Sequence, residues 1–106
     1  MITKYNKLVR DKIPEIIEAE GKNCTVEKVF GKKKLSYLYK KLLEEAEELI
    51  DAGSVEELAD VQEVINAIAK ELNISLEELE KVRKQKTLER GSFEKGIVLI
   101  ETTEKD

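Results

Sequence analysis

Histidine and tryptophan are absent from the 106 residues, and cysteine and proline occur once each. Without histidine there is no Ser-His or Cys-His catalytic pair and no imidazole ligand for a metal. The lone Cys24 has no partner for an intramolecular disulfide, and a thiolate zinc cluster needs several more sulfurs. That cysteine usage fits a reducing, cytoplasmic setting. Aromatic residues make up only 5%, so aliphatic side chains must do the packing. No apolar run approaches the roughly 20 residues that cross a bilayer, and the opening MITKYNKLVRDK lacks the apolar stretch of a secretory signal. A soluble chain without a membrane partner is expected. The net charge of -4 argues against a duplex nucleic-acid binder, whose affinity rests on a basic face.

What is present is a chain 41% hydrophobic and 40% charged, enough for one modest core under a densely ionic surface. A single domain over residues 1–106 is expected, since Pro14 and the five glycines divide the chain without leaving a linker. Pro14 suits the first turn of a short helix that ends before Gly21. Residues 24–30 alternate as a short strand does. From Leu35 to Asp51 the helical period is strong, with Leu35, Leu38, Tyr39, Leu42, Ala46, Leu49 and Ile50 in one stripe. Ser54, with Glu57 three residues on, reads as the capping box of a second helix over about 55–72. Its apolar face is Leu58, Val61, Val64, Ile65, Ile68 and Leu72. Ser75 with Glu78 opens a third helix reaching about Arg90, and residues 96–102 read as a closing strand. The expected architecture is mainly α, a helical bundle with a small two-strand β element from 24–30 and 96–102.

Single acidic residues carry little information in so Glu-rich a chain, whereas their position relative to the apolar stripes carries more. At 100° per residue Glu45 lies about 60° from Leu42, at the edge of its stripe, and Glu48 follows one turn later. Glu57 falls inside the second stripe, about 20° from both Val64 and Ile68, with Asp60 just beyond its edge. An ionised carboxylate in an apolar sector costs several kcal/mol unless a cation or strong donors satisfy it. The short connection makes the two helices antiparallel neighbours, so that Glu45 and Glu48 face Glu57 and Asp60. Four carboxylates with no nitrogen or sulfur donor favour Mg²⁺, or Mn²⁺, over zinc. The plainer alternative makes Glu45 and Glu48 surface charges and Glu57 a capping residue of Ser54.

Among the basic residues, Lys41 precedes Glu45 by one turn, within reach of a bound phosphate or of Glu45 itself. Arg10, Lys12, Arg83, Lys86 and Arg90 lie outside the central helices; arginine is scarce and is the better planar fork for phosphate, which favours Arg10 and Arg90. Lys32, Lys33 and Lys34 read as a solvated run, Cys24 as a small buried residue and Tyr37 as a packing residue.

Taken together, KLLEEAEELID followed by EELADVQEVI resembles the E-x-x-E…E-x-x-D signature of the MazG-like all-α nucleoside triphosphate pyrophosphohydrolases. The opening YNKLVRDKIPEII and the closing ERGSFEKGIVLIE resemble a small single-domain branch of that superfamily. It also includes phosphoribosyl-ATP pyrophosphohydrolase and dimeric dUTPases. The resemblance implies that Glu45, Glu48, Glu57 and Asp60 are the metal ligands and catalytic residues, with Glu44 and Glu63 as helpers. It implies a nucleoside triphosphate substrate cleaved between the α and β phosphates, giving a monophosphate and pyrophosphate. Magnesium ions bridge phosphate oxygens in such a reaction while a water attacks phosphorus in line. The KLVRDK and ERGSF segments imply phosphate contacts from Arg10, Lys12 and Arg90, beside Lys41. The resemblance also implies a homodimer or homotetramer built from the helical pairs. Two departures stand out: the link between the carboxylate pairs is short, and Ser92 and Gly96 replace the second glycine of R-G-G-F and a following basic residue.

Two other functions use the same residues differently. Phosphoribosyl-ATP hydrolysis needs the same metal site and another base pocket. A non-catalytic helical dimerisation or adaptor module needs the acidic faces only for solubility.

Overall fold

The computed structural model describes residues 1–105. Its elements are four helices: α1 (Ile13–Ala19), α2 (Gly31–Ala52), α3 (Val55–Glu71) and α4 (Leu76–Arg90). Pro14 sits in the first turn of α1, where its missing N–H costs nothing. Helix α2 starts at Gly31 rather than Leu35, because Lys32, Lys33 and Lys34 are good helix formers that need no apolar partner. It stops where Gly53 takes a left-handed conformation (φ 62°) and donates its N–H to the Leu49 carbonyl at 2.8 Å. The α3–α4 turn is built similarly. Asn73 is left-handed (φ 60°), and the Ile74 N–H reaches back to the Ala69 carbonyl at 2.8 Å. Ser75 caps α4 by accepting the Glu78 N–H at 3.0 Å, as its spacing predicts.

Gly53 and Ser54 alone join α2 to α3, so the two helices fold back on each other as an antiparallel hairpin. Lys34 near the start of α2 pairs with Glu71 at the end of α3 (3.4 Å) and closes the hairpin's open end. The core lies inside it: Leu38, Val64 and Ala69 are the buried apolar residues. Helix α4 packs on α3 and contributes no buried side chain.

The broad stripe predicted on α2 is two faces. Leu38, Leu42, Glu45 and Leu49 fall within about 60° of arc and form the inner one. Tyr39, Leu43 and Ile50 are exposed, Leu43 by 67% and Ile50 by 82%, on an outer face roughly 110° further round. Leu58 on α3 and Leu72 just past its end are likewise exposed although the periodicity groups them with the core.

The predicted two-strand β element is not formed: no strand occurs among the described residues. Alternation favours extended backbone, but a strand exists only when a neighbour completes its ladder, and neither 24–30 nor 96–102 has one. Ile97, Val98, Leu99 and Ile100 are each more than three-quarters exposed. The molecule is correspondingly long, 69 × 31 × 24 Å, with a radius of gyration of 19.0 Å. A compact chain of this length has about 13 Å. No helix is long and apolar enough to cross a membrane.

Candidate functional site

The Lys34–Glu71 pair fixes the register of the hairpin. Glu45 and Asp60 lie the same number of residues from that pair along their helices, and so do Glu48 and Glu57. Counted along the sequence from that pair, Glu45 matches Asp60 and Glu48 matches Glu57 on the facing helices.

Glu45 is the buried member, 7% exposed on the inner face of α2. Lys41 Nζ approaches its Oε1 at 3.3 Å, but its Oε2 is buried without any hydrogen-bond partner. A buried carboxylate oxygen left bare costs roughly 1–3 kcal/mol or more, so it calls for a cation. Glu48, one turn on, is exposed. Its carboxyl is held above its usual range, first because a proton on it can be shared with Glu45, then because the two charges repel. As carboxylates neither can donate to the other.

Glu57 is half-buried and accepts a hydrogen bond from the Ser54 hydroxyl. Here the structure corrects the expected capping box: Ser54 precedes α3, but its side chain binds the Glu57 carboxylate instead of a backbone N–H. Asp60 accepts from Arg10 Nη2 at 2.7 Å. A further cation, Lys7, donates to Glu44 Oε1 at 2.9 Å. That hydrogen bond holds the Glu44 carboxyl below its usual range and raises the Lys7 ammonium above its own. Lys41 lies 3.5 Å from Glu44 as well, and so bridges Glu44 and Glu45.

The structure thus brings Arg10 and Lys41 of the predicted phosphate contacts to the carboxylates. Lys12 begins α1 and Arg90 ends α4, and neither forms an ion pair among the described residues. Glu63 is exposed on α3. The sequence pattern does not single out Lys7, although it stands in the same KLVRDK segment as Arg10, three residues before it. It lines a cleft of about 140 Å³ with Asn6, Leu8, Tyr37, Lys40, Lys41 and Glu44. Tyr37 carries the Lys40 ammonium 5.4 Å from its ring centre, so it holds a cation as well as packing.

Among the described residues no three acidic or thiol side chains converge closely enough to hold a metal ion together. The donor set still fits a hard divalent cation. It is all oxygen, and it offers one buried, unpartnered oxygen on Glu45 beside the crowded Glu48. Glu57 and Asp60 are engaged elsewhere, with Ser54 and Arg10.

The raised Glu48 predicts a pH dependence of the metal-free protein. A carboxyl with a raised folded value contributes stability while protonated, and loses that contribution as pH climbs through the raised value. The melting temperature of wild type is therefore expected to fall across that window relative to Glu48→Gln. Parallel melting curves at every pH overturn the crowding of Glu45 and Glu48.

No protein-family model, curated protein or solved structure matches the chain.

Proposed function

We propose that the chain is a Mg²⁺-dependent nucleotide pyrophosphohydrolase, cleaving the α–β phosphoanhydride of a nucleoside or deoxynucleoside triphosphate to monophosphate and pyrophosphate. House-cleaning of non-standard nucleotides is the role this reading assigns. The observation that carries it is the bare, buried Oε2 of Glu45, one turn from the crowded Glu48. Bound Mg²⁺, or Mn²⁺, supplies charge neutralisation at the phosphate oxygens and an activated water. Glu45, Glu48, Glu57 and Asp60 hold it. Arg10, beside Asp60, and Lys41, beside Glu45, offer donors to phosphate, and Lys12 and Arg90 are the outer contacts.

The same reading pairs the chain with a second copy, as a homodimer or a tetramer of such hairpins. The accessible surface is 10,128 Å², against about 6,000 Å² for a compact monomer of this mass. The excess includes the outer face of Tyr39, Leu43 and Ile50 on α2, with Leu58 and Leu72 on α3. Exposed apolar side chains along both helices of a hairpin suit helix-on-helix association about a two-fold axis.

The test of the reaction is pyrophosphate release from a panel of standard and modified nucleoside triphosphates, with Mg²⁺ and with EDTA. Magnesium-dependent release with monophosphate as co-product is expected. Silence across the panel, with no rise in melting temperature on adding Mg²⁺, overturns the reading and favours the adaptor module.

A further inference from the structure

The twelve residues before α1 form no regular structure and bury no side chain, Leu8 alone being half-covered. Yet they lie across the carboxylates, tied to both helices of the hairpin. Lys7 holds Glu44 on α2 and Arg10 holds Asp60 on α3. These two ion pairs join residues 37 and 50 positions apart in sequence. We infer that this segment is a strap over the carboxylates, and that Arg10 competes with a divalent cation for Asp60, so that metal entry and strap release are one linked step.

Arg10 occupies Oδ1 of Asp60 at 2.7 Å, the contact distance of a strong charge-assisted hydrogen bond. It holds Oδ1 alone, so the competition is electrostatic: a divalent ion on Asp60 and Glu45 would place two positive charges beside the guanidinium and weaken its hold on that carboxylate. Removing Arg10 removes the competitor and the repulsion together. Both partners of the pair remain partly open to water, at 57% and 38% exposure of their side chains, so the tie is breakable at modest cost. Released, Arg10 swings free while Lys7 still anchors the strap to Glu44, which lies outside the set of four. The strap is thus retained beside the site rather than lost from it.

A merely structural role for Arg10 predicts that its removal weakens metal binding, whereas competition predicts the reverse. The experiment titrates Mg²⁺ alone into wild type, Arg10→Gln and Arg10→Lys by calorimetry. The side-chain N–H signal of Arg10, one of only three arginines, is followed in wild type by NMR. Arg10→Gln is expected to bind Mg²⁺ about three- to tenfold more tightly than wild type, with Arg10→Lys between them. The Arg10 signal is expected to move on Mg²⁺ addition to its position in metal-free Asp60→Asn. Equal or weaker binding by Arg10→Gln, or an Arg10 signal that Mg²⁺ leaves unmoved, overturns the strap. The inference rests on the metal-site reading, and the two fail separately. Mg²⁺ bound equally by wild type and Arg10→Gln overturns the strap and leaves the site standing. No binding by either protein overturns both.

Discussion

Replacing Glu45 with Gln is expected to lower Mg²⁺-dependent pyrophosphate release by about a hundred- to a thousandfold while leaving the protein folded. The amide keeps the shape of the carboxylate on the inner face of α2 and removes only its charge. Lys41 is not orphaned, because Glu44 stays within 3.5 Å of it. The repulsion between Glu45 and Glu48 disappears, so the metal-free melting temperature is expected to hold or rise. Mg²⁺ is expected to raise the melting temperature of wild type and to leave that of the variant unchanged. Turnover, metal-free melting and melting with Mg²⁺ are the three measurements. A variant that keeps wild-type turnover removes Glu45 from the site. On the proposed function Glu57→Gln is expected to abolish turnover as well, by removing the carboxylate that Ser54 now holds.

The second large effect concerns the outer face. Leu43→Lys is expected to raise the dimer dissociation constant by about 30-fold or more, measured by sedimentation across a dilution series. The leucine is already 67% exposed in the single chain, so a lysine there does not disturb the hairpin itself. Its charge becomes costly only when a second copy closes over it. Wild type is expected to melt higher as its concentration rises, and the variant to melt at one temperature throughout. A wild-type protein that is monomeric at micromolar concentration overturns the second-copy reading.

The four helices were legible in the sequence because each rests on local chemistry: Pro14 in a first turn, Gly53 after the last turn of α2, Ser75 with Glu78 at the start of α4. Which sector of a broad apolar stripe faces the neighbouring helix is not local chemistry. Tyr39 and Ile50 pull the apparent centre of the α2 stripe toward the outer face, and so Glu45 reads as an edge residue. Packing α3 against Leu38 and Leu42 puts Glu45 in the inner sector, where it is the chain's buried charged residue. Glu57, the carboxylate that periodicity singles out, is only half-buried and satisfied by Ser54. The strands were overread for the opposite reason. Alternation describes one segment, whereas a ladder is a property of two. Lys7 and Arg10 reach carboxylates far along the chain, and no spacing rule connects an irregular segment to helices so distant in sequence.

The two-residue link at Gly53 and Ser54 also bears on how fast the chain finds this arrangement. Its core lies between helices that are neighbours in sequence, so the last turn of α2 and the first of α3 meet across a short link at small entropic cost, and pairing extends from there toward Leu38. Chains dominated by such local contacts fold in microseconds to milliseconds. The hairpin is expected to form first, with Glu45 enclosed in the same step. The two ion pairs of the N-terminal segment then close on a surface already made. Gly53 is the position where this order is most easily upset. A side chain there strains the left-handed turn that starts the return, and the whole core waits on that turn.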